Sequence, residues 1–441
     1  MTSIKPDEAT PGEKRPFWLR FLAILGPGLI TGAADDDPSG IATYSQTGAQ
    51  FGFAQLWTAL YQVPLLLAVQ EACARIGMVT GKGLAGVIKQ HHGRTVLTAT
   101  VLLVVIANTI NIGADIGAVA AAARLVVVLP FWLYAVLTAA LIVWLEVRIS
   151  YRNYAKILKW LALALLSYPA TALIVAEPWG EILRATLVPH IELSFGFLFI
   201  ITGVFGTTIS PYMFFWQASE EVEEEEALRL TLDEAGRPSL PMNFIRNMRI
   251  DTTIGMLASQ LGQWFIIITT GSVLFGHGIT TINTAADAAM ALEPLVRSFP
   301  NSGQIARDIF AVGVVGLGLL GIPVLAGSAG YALSEAFGWQ EGLSRRFAEA
   351  RGFYGVIIAS TGIGLLLNFI GINPIKALIF TAVFNGIAAV PLLFLIGRIN
   401  GDAEILGVYT GGPISRTLVW LAFAVIGLAA VGMLYTLVVP G

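Results

Sequence analysis

Apolar residues run through this chain in long blocks that recur from end to end, each separated from the next by a short polar connection. A bilayer core of about 30 Å needs roughly 20 apolar residues per helix. That length divides the chain into eleven spans, near residues 20–47, 51–76, 95–128, 130–149, 155–177, 194–218, 249–276, 305–337, 351–370, 373–398 and 415–438. In hydrocarbon a helix satisfies all of its own backbone polar groups, so the pattern predicts an all-α polytopic membrane protein.

The basic residues test the count, because lysine and arginine concentrate on the cytoplasmic side. With the N-terminus inside, one set of connections carries Lys5, Lys14, Arg15, Arg20, Arg75, Lys82, Lys89, Arg94, Arg148, Arg152, Lys156, Lys159, Arg229, Arg237, Arg246, Arg249, Arg345, Arg346, Arg351, Arg398 and Arg416, which is 21 residues. The other set carries 5: Arg124, Arg184, Arg297, Arg307 and Lys376. A missed or extra helix would scramble this split. The expectation is a multi-pass cell-membrane protein with a cytoplasmic N-terminus and an extracytoplasmic C-terminus.

The parts are then a cytoplasmic tail (1–19), a first five-helix repeat (20–177), an outer loop with the sixth helix (178–218), an acidic cytoplasmic loop (219–248), the rest of the second repeat (249–398), and a loop with helix 11 (399–441). The acidic stretch Ser219 to Glu226 is expected to be a solvated loop or short helix. Residues 277–304 form the longest outer loop.

Composition narrows the function. The 441 residues are 56% hydrophobic and 12% charged, against about a quarter charged in soluble domains. A net charge of −3 offers no basic field for nucleic acid. The single cysteine, Cys73, provides neither an internal disulfide nor a thiolate cluster. The first apolar stretch, long and interrupted by acids, does not read as a cleavable signal peptide. The four histidines, His91, His92, His190 and His277, fall outside the spans. No Ser/His/Asp set or zinc spacing suggests an enzyme, and no cofactor or obligate protein partner is indicated.

Two spans are interrupted. The first reads Gly26-Pro27-Gly28-Leu29-Ile30-Thr31-Gly32-Ala33-Ala34-Asp35-Asp36-Asp37-Pro38-Ser39-Gly40-Ile41. Each aspartate costs at least ~2.5–3.5 kcal/mol at the bilayer centre, so the three cannot face lipid. The proline breaks the backbone ladder, which is tolerated at membrane depth where the chain lines a cavity. Freed carbonyls and the carboxylates of Asp35, Asp36 and Asp37 then suit a hard cation. Three consecutive residues cannot all face one cavity if the segment stays helical, and Asp37 is expected to be the essential one.

The sixth span breaks at Gly206-Thr207-Thr208-Ile209-Ser210-Pro211-Tyr212. It opens the second group of five spans as the aspartate break opens the first. Five is odd, so the second group inserts upside down, and paired breaks in inverted halves point to a substrate site between them. Thr207, Thr208 and Ser210 are expected to approach with carbonyl or hydroxyl oxygens. Asn108, Asn111 and Asp115 share one face of the third span, either lining a pathway or packing in the bundle. Gln260, Gln263 and Asn385 are weaker pathway candidates. Asp251, near Arg249, reads as half of a helix-end ion pair.

These residues resemble the Nramp family of divalent-metal transporters, which share the LeuT-type inverted-repeat fold. The family's D-P-G-N motif, preceded by G-P-G, is similar to Asp37-Pro38-Ser39-Gly40 after Gly26-Pro27-Gly28. Its A-R-L-G-x-V-T-G is similar to Ala74-Arg75-Ile76-Gly77-Met78-Val79-Thr80-Gly81. Asp115, the segment Thr284 to Leu295, and Leu325-Ala326-Gly327-Ser328-Ala329-Gly330-Tyr331 also match, from about residue 22 to 400. The resemblance implies eleven transmembrane helices in a 5+5 inverted repeat, with helices 1 and 6 discontinuous.

The departures bear on the cargo. Manganese and iron carriers of the family have M-P-H in helix 6, where this chain has Ser210-Pro211-Tyr212. The family's ligand asparagine is matched by Gly40, its second helix-6 histidine by Gln217, and a helix-3 glutamate by Ala118. The pattern is similar to the branch known as Nramp-related magnesium transporters. A thioether selects softer metals, whereas carboxylate, carbonyl and water suit magnesium, which usually keeps several waters. The resulting expectation is a magnesium transporter, also passing manganese, that moves a partly hydrated ion by alternating access without obligatory proton entry. The alternatives are a proton-coupled manganese or iron symporter of the Nramp type and, in another class, a sodium-coupled carrier of an organic solute. Tyr212 and Gln217 belong to the pathway on this reading.

Overall fold

The structure, a computed structural model, describes residues 27–149, 166–175, 178–228 and 242–438. Its elements are helices, with no strand among the described residues. Eight helical stretches there are long and apolar enough to cross a membrane, and Arg351–Leu367 is a shorter apolar helix. The first expected span is two short helices, α1 (Pro27–Asp35) and α2 (Pro38–Phe51). The fifth expected span falls mostly outside the described residues, as do the expected tail 1–19 and the middle of the 219–248 segment.

The first half continues with α3 (Trp57–Thr80), α4 (Leu84–His91), α5 (Arg94–Val126), α6 (Phe131–Arg148) and the short α7 (Ser167–Ile174). The expected span 95–128 is thus one helix, ending before the Pro130 that precedes α6. After α8 (Trp179–Leu187), the second half opens with another broken span, α9 (Phe195–Thr208) and α10 (Pro211–Leu228). Then follow α11 (Met242–Val273), α12 (Ala285–Ala289), α13 (Ser302–Phe337), α14 (Arg351–Leu367), α15 (Pro374–Gly401), α16 (Ala403–Leu406) and α17 (Pro413–Val438).

Lipid tails give no hydrophobic drive between helices, so close association relies on small residues that let backbones meet. A Cβ on Gly32 of α1 would stand 2.3 Å from the Gly255 carbonyl oxygen of α11, and one on Gly206 of α9 would stand 2.1 Å from the Ala382 carbonyl oxygen of α15. Each half of the molecule therefore presses one arm of a broken helix against a long neighbour. Two apolar clusters surround the breaks, one including Leu66, Val69, Phe205 and Phe214, the other Ile41, Ile266, Leu317 and Leu378.

Two expectations change here. The acidic run, expected as a solvated loop or short helix, is helical but only partly solvated: α10 continues through it to Leu228, and Glu220, Glu221 and Glu225 are buried. Packing of α10 against α3, α4 and α13 extends that far and takes one side of the run inward. The helix-end pair of Asp251 with Arg249 is replaced by longer-range contacts. The Asp251 Oδ2 accepts from the Gly28 N–H at 2.6 Å, at the start of α1, and Arg249 Nε bonds Glu71 Oε1 at 3.0 Å. A carboxylate at a helix N-terminus meets unpaired N–H groups and the positive end of the dipole.

Candidate metal pathway

Proline shapes both breaks. A residue before proline is pushed into extended conformation, and Asp37 takes φ −61°, ψ 171°. Proline itself suits the first helical position, where its missing N–H costs nothing, so α2 starts at Pro38 and α10 at Pro211. Asp37 becomes the N-cap of α2, its Oδ1 accepting from the Gly40 N–H at 2.8 Å and the Ser39 hydroxyl at 2.6 Å. Its Oδ2 accepts from Asn111 Nδ2 of α5 at 3.2 Å. The carboxylate is 1% exposed and held from two sides.

Asp35 and Asp36 turn elsewhere. Ser259 of α11 donates to Asp35 Oδ2, and its oxygen lies 3.3 Å from Asp36 Oδ1. Asp37 faces α5, whereas Asp35 and Asp36 face α11, so the three carboxylates do not share one face. Among the described residues no group of three His, Cys, Asp or Glu side chains converges as a metal cluster. The physical reason is the break itself, where the chain leaves helical phase between Asp35 and Pro38.

The second break contributes unevenly. The Thr207 hydroxyl lies 3.2 Å from that of Ser39, which bonds Asp37. Thr208 instead pairs with the Tyr44 hydroxyl at 2.9 Å, and Ser210 turns back onto the Gly206 and Thr207 carbonyls of its own helix at 2.5 and 2.8 Å. Of these three hydroxyls, Thr207 is the one joined to Asp37, through Ser39; those of Thr208 and Ser210 are engaged away from it. Tyr212 reaches across both breaks, its hydroxyl donating to the Ala34 carbonyl at the end of α1 at 3.1 Å. A Cβ on Gly40 would meet the Asp35 carbonyl oxygen at 3.2 Å, the Tyr44 ring at 3.3 Å and the Thr207 hydroxyl at 3.4 Å. The space beside Gly40 is thus bounded mainly by hard oxygen donors.

The pathway candidates separate in the same way. On α5, Asn111 joins Asp37, Asn108 donates to the Leu325 carbonyl of α13 at 2.9 Å, and neither Asp115 oxygen has a hydrogen-bond partner. Gln263 bonds Thr58 at 3.1 Å and reaches Thr208 at 3.4 Å, behind the site. Gln217 bonds Glu221 at 2.8 Å within α10, away from both breaks. Asn385 is buried beside Gly386, where α15 packs on α9, and is not joined to Asp37. Sequence reasoning missed Ser259, Ser39 and Tyr44. Ser259 sits one turn before Gln263, and that helical phase was the available signal.

Toward one end of the bundle, a cavity of 530 Å³ opens between α4, α10 and the end of α13, lined by Lys82, Lys89, Glu223, Glu226, Glu335 and Glu341. Burial, followed by the Glu335, Glu223 and Glu226 carboxylates, pushes the Glu341 carboxyl up to about 9.

The family model for natural resistance-associated macrophage protein-like (Nramp) proteins matches residues 28–436. The chain belongs to the Nramp family. It is 25% identical over 431 residues to the divalent metal cation transporter MntH of Ralstonia nicotianae, covering 94% of this chain and 91% of that one. The manganese transporter of Eremococcus coleocola superposes with a TM-score of 0.74 at 16% identity, covering 96% of this chain and 88% of that one. Mhp1, a nucleobase-cation-symport-1 transporter, superposes at 0.53 and 14% identity over 94% of this chain and 91% of its own. The fold is the LeuT-type inverted repeat, and the Nramp member is a multi-pass membrane transporter of divalent metal. The comparisons give the magnesium branch no support. They fit the alternative, a manganese carrier of the Nramp type, better.

Proposed function

We propose that this Nramp protein carries manganese by alternating access, through a pocket centred on Asp37 between the two broken helices. The observation that carries the reading is the buried Asp37 carboxylate, fixed by the α2 N-terminus and Asn111 and linked through Ser39 to Thr207 of the opposite break. Carboxylate, carbonyl and hydroxyl oxygens suit manganese as well as magnesium, and the names of the relatives favour manganese. The basic-residue split supports a cytoplasmic N-terminus and an outer C-terminus, opposite sides that cysteine labelling would distinguish.

A second reading, magnesium, has one specific observation behind it. Among the described residues no sulfur or imidazole side chain bonds Asp37, whose partners are Ser39, Gly40 and Asn111. Proteoliposome uptake of manganese and magnesium, with an internal pH dye, separates the readings. Manganese uptake that outcompetes magnesium and acidifies the lumen at clamped voltage supports the symporter. Magnesium uptake driven by voltage alone, unaffected by manganese, supports the second reading. Uptake of neither ion would sink both.

A further inference from the structure

We propose that the groove between α6 and α14 binds an anionic phospholipid, with an acyl chain along its apolar floor and the phosphate on Arg148.

The groove, 620 Å³ in volume, is lined by one face of α6, from Val136 to Arg148, and by Ile358, Gly362 and Leu365 of α14. Phe347, in the loop before α14, also lines it. Glu146 lies within electrostatic reach of Tyr354 in the first turn of α14, so the end of α6 stands beside the start of α14. Arg148 and Phe347 therefore share one end of the groove. The lining of α6 spans about 18 Å at a rise of ~1.5 Å per residue. One leaflet of a ~30 Å hydrocarbon core offers roughly 15 Å, the depth of a single acyl chain.

The floor is built from small residues, among them Ala139, Ala140 and Gly362. A Cβ on Gly362, or on Gly355 two turns earlier, would meet nothing within 4 Å. Glycine weakens a helix, and Gly32 and Gly206 repay this by close contact with a neighbouring backbone. At Gly355 and Gly362 no described residue takes up the room. The result is a slot in the surface of the bundle.

Charge selects the occupant. Arg148 lines the groove, Arg346 precedes Phe347 and Arg351 opens α14. Arg345 pairs with Glu226 at 3.5 Å, whereas among the described residues the other three arginines enter no ion pair. The acids nearby in the chain are Glu146, buried off the lining face, and Glu349, whose carboxylate accepts from the Arg346 N–H at 3.1 Å. The basic end is held in place before anything binds: Tyr354 donates to the Arg345 carbonyl at 2.8 Å, and its ring lies 5.9 Å from that of Phe347. Trp144, 54% exposed and one turn before Arg148, is a residue type that settles at head-group level. Basic pockets between transmembrane helices bind anionic head groups, and the planar fork of arginine matches phosphate. A second copy fits less well. Two chains in one bilayer share an orientation, so a twofold contact here would set the same arginines against each other.

The test is native mass spectrometry of the full-length protein in detergent, titrated with phosphatidylglycerol or phosphatidylcholine. Wild type should retain one phosphatidylglycerol per chain, with affinity about tenfold above that for phosphatidylcholine. Arg148→Gln should remove most of that preference and leave phosphatidylcholine binding unchanged. Gly362→Leu, which fills the slot and changes no charge, should weaken both lipids several-fold. Neither change disturbs a packed neighbour, so both variants should fold. Arg307→Gln, at the start of α13, controls for net charge and should keep the preference. Equal affinity of wild type for the two lipids overturns the proposal. So does an equal loss of preference in Arg148→Gln and Arg307→Gln, which would mark attraction to overall charge. A dimer that Gly362→Leu splits, with lipid retention unchanged, gives the groove to a second copy and overturns it as well.

Discussion

The two breaks share their backbone device and differ in charge. Both restart a helix at a proline, Asp37-Pro38 in one and Ser210-Pro211 in the other. The first carries three carboxylates, and the second carries hydroxyls that largely cap their own helix or bond neighbours. Attraction for a cation therefore comes from one side of the pocket. The other side supplies shape and a single polar link, Thr207 to Ser39. An inverted repeat fixes where the chain opens, and the residues placed at each opening decide which one holds charge.

The largest expected effect is at the charged break. Asp37→Ala should reduce metal uptake on the order of 100-fold or more, because the carboxylate and the N-cap of α2 go together. Asp37→Asn keeps capping ability, so loss of uptake in that variant isolates the charge. Uptake at wild-type rates in both would move the site elsewhere.

Asn111→Leu removes the donor on Asp37 Oδ2. Apparent affinity for manganese should fall by roughly 10–100-fold, as expected for a partner that orients a ligand. A change in maximal rate alone would instead point to a role in movement.

Gly40→Asn with Ser210→Met should tilt the manganese-to-magnesium preference by about tenfold toward manganese or cadmium, by adding a softer donor. The asparagine must displace the Thr207 hydroxyl, since even a Cβ stands 3.4 Å from it. Competition uptake reads the result, and an unchanged preference in an active variant would show that these positions do not set it.

Within the neutral break, Thr207→Val should cost a few-fold in affinity and Ser210→Ala less, by the usual ~1 kcal/mol of a neutral hydrogen bond. The reverse order would mean that Ser210 turns from its own helix to face the ion during transport.

The last effect is on stability, not uptake, and belongs to the cavity beside α10. The Glu341 carboxyl is raised in the folded protein to about 9 from an ordinary value of 4.5. The native state thus binds a proton that the unfolded chain releases, and this contribution is fully present below about 4.5 and is lost as pH rises toward 9. Thermal unfolding followed against pH should show a decline over that window, and Glu341→Gln should flatten it.

Much of this was legible in the sequence because the bilayer enforces simple rules. Blocks of about 20 apolar residues gave the helices, and acids too costly for a lipid face gave the first break. Asn111 was legible too, since Asn108, Asn111 and Asp115 repeat at helical spacing. The direction of each aspartate was not, because a break has no period from which to read a face. Ser259 stayed hidden for a related reason: a serine in an apolar helix carries no cost that demands explanation. The acidic run misled because charge predicts solvation, yet helix packing buried one of its faces.

Helix α1 is fastened to α11 at both ends, by Asp251 on the Gly28 N–H and by Ser259 on Asp35, with Gly32 seated against Gly255 between them. Such a fastening makes the pair a single lever. An opening stroke that swings α1 alone must shear both buried bonds and pull apart the close-packed backbones, whereas one that carries α11 along does neither. At the far end of that lever the Tyr212 hydroxyl holds the Ala34 carbonyl, a further buried bond that a swing of α1 would have to break or carry along.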